Sequence, residues 1–156
     1  MVINIRRSRP DEGDKLIAIW CRSVDATHDF LTKAYRKELE EMVRAFLPEA
    51  PLWVAVNTED QPIAFMLLTG DHMDALFVDP DVRGCGVGKL LIEHALSLTP
   101  KLTTNVNEQN EQAVGFYQKM GFRVTGRSET DDLGQPYPLL NLMYEQQAEA
   151  DSECRR

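Results

Sequence analysis

Val2–Arg6 alternates apolar and polar side chains, the period of a strand with one buried face. The period then lengthens. Leu16, Trp20 and Val24 recur every four residues and Pro10 suits a first helical turn, which predicts a helix over 10–26. Tyr35, Leu39, Met42, Val43 and Phe46 mark a second helix that ends before Pro48. Leu52–Val56 and Ile63–Leu68 are short apolar runs joined by the turn-forming stretch Asn57–Pro62, a hairpin signature. Gly70 and Asp71 turn the chain into a strand at about His72–Val78. Val87, Leu90, Leu91, His94, Ala95 and Leu98 define a third helix, closed by Pro100. A strand over Leu102–Val106, a helix over Glu108–Met120 with Gly121 as its C-cap, and strands over Phe122–Arg127 and Leu139–Tyr144 complete the series. The last two are separated by a Gly-Gln-Pro turn. The order β-α-α-β-β-β-α-β-α-β-β predicts an α/β (α+β) fold, a mixed sheet with helices on its faces. Residues 1–145 read as one domain and 146–156 as a polar, frayed tail.

Composition narrows the partners. With 156 residues, 43% hydrophobic and 27% charged, the chain has an ordinary globular make-up. No apolar run approaches the roughly 20 residues of a membrane span, and Met1–Arg9 lacks a signal-peptide core. Cys21, Cys85 and Cys154 show no metal-ligand spacing, so reduced thiols, no metal and a cytoplasmic setting are expected. A net charge of −8 argues against nucleic acid as a partner. Nothing here separates a monomer from a homodimer.

The chemistry concentrates between Leu76 and Lys89, where a short apolar strand runs into Arg83-Gly84-Cys85-Gly86-Val87-Gly88 and then an amphipathic helix. Three glycines let a backbone curl closely round an anion, and the helix start adds free N–H groups and the positive end of its dipole. A phosphate, most naturally a pyrophosphate, is the ligand such a loop is built for. Asn110 and Tyr117 lie seven residues apart, two helical turns, hence on one face. His72 and Asp74 share parity on their strand and face one side.

Two of these segments carry a family resemblance. Leu76-Phe77-Val78 with Arg83–Gly88 resembles the strand and pyrophosphate loop of the GNAT superfamily of acetyl-CoA-dependent N-acetyltransferases. Asn110, Ala113, Phe116, Tyr117, Gly121 and Phe122 match that family's Asn-x-x-Ala-x-x-Phe-Tyr-x-x-x-Gly-Phe helix. The resemblance implies a mostly antiparallel twisted sheet with a central, splayed, parallel strand pair and about four flanking helices. It implies acetyl-CoA as cosubstrate and direct attack by a primary amine in a ternary complex. Backbone groups of Leu76, Phe77 and Val78 would bond pantetheine, and Arg83, Gly84, Cys85, Gly86, Val87 and Gly88 would take the pyrophosphate with Lys89 adding charge. Asn105 and Asn110 would contact the pantetheine arm, with Ala113 and Phe116 on the same wall. Tyr117 would protonate the departing thiolate. For the base, His72 and then Asp74 are nearest in position to the carboxylate that some members use. His28 and Asp29 lie where the family places its acceptor wall, and His94 reads as a packed core histidine. The acceptor is expected to be a protein lysine or N-terminal amine. A polyamine or aminoglycoside acetyltransferase and a non-catalytic acyl-CoA-binding regulator are the alternatives; the Arg-led loop disfavours a Rossmann dinucleotide domain.

Overall fold

The computed structural model describes residues 2–145; the segment read above as a frayed tail lies outside them. Seven strands form one sheet: β1 (Asn4–Arg7), β2 (Trp53–Val56), β3 (Pro62–Thr69), β4 (His72–Val78), β5 (Thr103–Asn107), β6 (Phe122–Ser128) and β7 (Leu139–Tyr144). They lie in the order β1-β2-β3-β4-β5-β7-β6. All neighbours are antiparallel except β4 and β5. Helices α1 (Gly13–Thr27) and α2 (Lys33–Phe46) cover one face, and α3 (Val87–Leu98) and α4 (Glu111–Met120) the other.

Alternation within the strands explains the two cores. Val54, Val56 and Phe65 turn toward Leu16, Ile19 and Trp20 of α1, while Ala55, Ala64 and Met66 turn toward Leu91, Ile92 and Ala95 of α3. Buried strands with both faces covered read as continuous apolar runs, which is why β3 reads Ile-Ala-Phe-Met-Leu-Leu without alternation.

The element order agrees with the sequence reading, while several boundaries move, three of them with a clear physical reason or consequence. The first helix is split: Pro10–Glu12 form a 3-10 turn and the α-helix starts only at Gly13. Glu12 is buried; its carboxylate accepts from the Arg9 N–H at 2.8 Å and pairs with Arg6 at 2.6 Å, which ties the turn to β1. Gly13 follows because a Cβ there would sit 2.9 Å from Pro48 Cβ. The fourth helix starts at Glu111, not at 108, because Asn110 caps it, accepting from the Ala113 N–H at 3.2 Å. The strand expected over Leu102–Val106 runs Thr103–Asn107. Gly121 closes α4 at φ 110°, as its C-cap position requires.

Candidate active site

The sheet opens at one point. β3 pairs with β4 along most of its length, but β5 pairs with β4 only at His72↔Thr103 and Met73↔Thr104. Beyond Met73 the two parallel strands diverge, and the β5-facing backbone of Leu76–Val78 is left without a strand partner. The register shift between Leu67 and Leu68 leaves Asp74 as an extra residue in β4, a bulge that bends the strand at the fork. At the apex the buried Thr104 hydroxyl donates to the Met73 carbonyl at 2.8 Å.

A groove of about 760 Å³ runs through this fork. At one end Asp79 opens a 3-10 turn, Pro80–Val82, and the loop Arg83–Gly86 leads into α3. Gly84 (φ 86°) and Gly86 (φ 81°) adopt the left-handed conformation, and a Cβ at either would meet nothing within 4 Å, so their concave side is open. The first intrahelical bond of α3 runs from the Leu90 N–H to the Gly86 carbonyl at 3.1 Å. The N–H groups of Val87, Gly88 and Lys89 therefore have no intrahelical partner and crown the loop. Three donors, a positive helix end and the Arg83 and Lys89 side chains fit the phosphates of coenzyme A.

The α4 side forms the other wall. Asn110, Ala113, Phe116 and Tyr117 all line the groove. Asn110 uses its side-chain oxygen on the Ala113 N–H, which leaves its amide group for a ligand. Phe116 packs close enough that a Cβ on Gly88 would lie 3.2 Å from its ring, so the third glycine of the loop serves helix contact. Tyr117 is buried, edge-on to Phe116 and Phe122, with the Thr104 hydroxyl beside its own. Burial pushes the phenol well above its usual range, with Thr104 opposing, so the Tyr117 hydroxyl stays protonated.

Four expected residues lie away from the groove walls. His72 and Asp74 face the same side, as parity requires, with His72 Nε2 3.7 Å from Asp74 Oδ1. His72 sits where β4 and β5 are still joined and Asp74 in the bulge just past that pairing, and each is engaged locally: His72 Nδ1 lies 2.7 Å from Thr103 Oγ1, and Asp74 accepts from Thr69 at 2.5 Å. Neither is among the groove's lining residues. Asn105, one residue past the fork, donates to Asn141 on β7 at 2.6 Å instead of lining the groove. Cys85 is exposed and its side chain is not part of the lining. His94 packs edge-on against Trp53 under α3, away from the groove lining, with its buried Nε2 lacking a partner in the described residues.

The histidine that does line the groove is His28, at the C-cap of α1. An aromatic bracket holds this region. Phe30 packs at a tilt between His28 and Tyr137, and Tyr137 lies parallel to Tyr35 with centroids 5.2 Å apart. The Tyr35 hydroxyl donates to Asp131, and the Thr32 N–H donates to the Tyr137 hydroxyl at 3.2 Å. The sequence reading placed Tyr35 on the apolar stripe of α2 and passed over Tyr137, since a lone tyrosine in a Pro-rich connection carries no period.

A model of the acetyltransferase (GNAT) domain matches residues 13–136. The peptidyl-lysine N-acetyltransferase YjaB of Escherichia coli is 78% identical over 92% of this chain and 98% of its own length. The solution structure of apo YjaB superposes with a TM-score of 0.90 over the same shares. A 5-NmdU N-acetyltransferase of Pseudomonas phage PaMx11 is 49% identical over 81% of this chain and 91% of its own length. The crystal structure of PaiA N-acetyltransferase from Thermoplasma acidophilum, solved with coenzyme A, is 18% identical, with a TM-score of 0.76 over 94% of this chain and all of that one. With the domain model covering most of its length and a 78% identical relative matched almost end to end, the chain belongs to the GNAT superfamily of N-acetyltransferases.

Proposed function

We propose that the chain transfers acetyl from acetyl-CoA to the side-chain amine of lysine in proteins, with residues 1–145 acting as one cytoplasmic acetyltransferase domain. The observation that carries the lysine assignment is the 78% identity to a peptidyl-lysine N-acetyltransferase over nearly all of that protein. The 49% identity to an enzyme named for a modified nucleoside favours a second reading, a small amine as acceptor.

Acetyl-CoA supplies an activated thioester carbonyl. The chain's own residues do the rest. Backbone N–H groups at the start of α3, with Arg83 and Lys89, hold the pyrophosphate. The unpaired edge of Leu76–Val78 bonds the pantetheine amides as an added strand would, and the Asn110 amide group meets the arm from α4. This fixes the donor in line, the largest single saving available to a two-substrate reaction. A backbone N–H of the Leu76–Val78 edge serves the carbonyl oxygen, where charge develops. Tyr117, kept protonated by burial, gives its proton to the departing sulfur. Thr104 keeps the phenol at the fork, and Phe116 and Phe122 fix its ring.

The test is acetyl-CoA consumption by the purified chain against lysine peptides, polyamines, aminoglycosides and aminomethylated nucleosides, with mass spectrometry locating the new amide. Preferred turnover of peptides supports the first reading. Turnover confined to small amines replaces it with the second, and acetyl-CoA binding without turnover on any amine would leave a non-catalytic acyl-CoA binder.

A further inference from the structure

We propose that His28 is the residue that takes the proton from the acceptor ammonium, an assignment that rests on the transferase reading above. Two cavities meet at this side chain. His28 lines the groove through the fork, and it also lines a second cavity of about 410 Å³ between α1 and α2. An amine that enters between the two helices passes the imidazole before it reaches the groove.

The ring's hydrogen bonds set its tautomer. Thr27 Oγ1 donates to the Ser23 carbonyl at 2.8 Å, an intrahelical back-bond that commits its only proton. The same oxygen lies 2.7 Å from His28 Nδ1 and can only accept there. Nδ1 therefore carries the hydrogen, and Nε2 is the basic atom. The backbone is pinned as well, because the His28 N–H caps α1 by donating to the Val24 carbonyl at 2.8 Å. Phe30 holds the ring plane, with centroids 5.3 Å apart. Asn107, beyond the fork on β5, raises the basicity of the ring.

The charged groups that line the cavity between α1 and α2 with His28 are Asp25, Asp29, Lys33, Arg36, Lys37 and Glu40, and those that line the groove with it are Arg83, Lys89, Glu93 and Lys119, beside the Tyr117 phenol. Arg36 is already paired with Asp25 and Glu40. Asp29 raises the basicity of the ring, while burial, the larger effect, lowers it and keeps the imidazole neutral near pH 7.

The protons balance. The ammonium gives one proton to Nε2 and becomes a neutral amine. Its lone pair forms the C–N bond as the C–S bond breaks, leaving the electron pair on sulfur. Sulfur takes the Tyr117 proton, and the phenol regains one from the second N–H of the nitrogen through solvent. The imidazolium then releases its proton to water, so one proton is lost per turnover.

Long-range proton–nitrogen correlation spectra of the nitrogen-labelled full chain, with His28 assigned by its loss in His28→Gln, test the tautomer without turnover. A neutral Nδ1–H ring titrating below about 6.5, the ordinary histidine value, is expected; a neutral Nε2–H ring would overturn the proposal. In kinetics, wild-type kcat/KM should rise with pH through a limb that lies below the ordinary histidine range. His28→Gln should lose that limb and drop roughly 10²–10³-fold at pH 7. It should recover toward pH 10 as the amine deprotonates unaided, with calorimetric acetyl-CoA affinity unchanged. A limb that survives in His28→Gln overturns His28 as base while leaving the transferase reading intact. Wild-type protein that acetylates no amine overturns both.

Discussion

Arg22 of α1 grips Asp79 at the mouth of the glycine loop, with Nη2 2.5 Å from Oδ2. The contact joins the helix that ends at His28 to the turn that leads into the glycine loop, 57 residues away in sequence. Asp79 is nearly buried and also caps its own turn by accepting from the Asp81 N–H at 3.1 Å. Burial alone would raise its pKa, yet Arg22 and the Asp81 N–H together hold it below the usual carboxylate range.

Arg22→Leu should therefore leave a buried carboxylate half-satisfied and cost about 1–2 kcal/mol, with the exposed half of the guanidinium keeping the loss small. The sign with pH follows from a lowered native pKa. Stability from this pair is present above the unfolded value near 4 and disappears as pH falls through the native one. Urea denaturation of both proteins between about pH 2 and 7 checks this; equal pH dependence in Arg22→Leu would remove the pair as its source. Acetyl-CoA should also bind the variant more weakly, because the loop loses its anchor.

Gly86→Asp should abolish useful acetyl-CoA binding while the fold persists. The position is open, so no clash forces unfolding, but φ 81° strains any side chain by roughly 1–2 kcal/mol. A carboxylate about 4 Å from phosphate adds roughly 1–4 kcal/mol of repulsion, so affinity should fall ten- to a thousandfold. Calorimetric titration reads it, with Gly86→Ala separating strain from charge. Unchanged affinity in folded Gly86→Asp would remove the loop from the phosphate site.

Tyr117→Phe removes one hydroxyl and keeps the ring packed on Phe116 and Phe122. Turnover should fall roughly 10²–10⁴-fold with acetyl-CoA affinity nearly constant. Since burial raises the native pKa, the phenol stays protonated to about pH 10 and beyond, and no alkaline loss of rate below that pH should trace to it. Equal turnover by variant and parent would assign Tyr117 to packing alone.

Tyr137→Phe should cost about 1 kcal/mol by leaving the Thr32 N–H unpaired, and Tyr137→Ala roughly 3–5 kcal/mol by emptying the stack on Tyr35 and Phe30. Because the bracket shapes the acceptor side, the amine's KM should rise in Tyr137→Ala more than the affinity for acetyl-CoA falls. Initial rates with each substrate varied distinguish the two. Parallel losses would mean that the bracket holds the whole fold and not the acceptor wall.

Much of this site is local and was legible for that reason. The positive φ at Gly84, Gly86 and Gly121, the Asn110 cap and the shared face of Asn110 and Tyr117 depend on residues within two helical turns of one another. Strand parity put His72 and Asp74 on one face but could not place them along the fork. His72 lies on the joined side of Met73, and hydrogen bonding within its own neighbourhood holds it there.

By itself the sequence determined the element order, the family and the glycine loop, because period, caps and glycine placement act over a few residues. Only the tertiary structure decided where β4 leaves β5, that Thr104 and Tyr117 meet at that point, and that His28 joins two cavities. It likewise set Tyr137 against Tyr35 and Thr32, a contact spanning 105 residues. Such meetings follow from how the sheet twists and from which helix covers which face. They are set by the sum of many weak packing contacts, and no short stretch of residues encodes that sum.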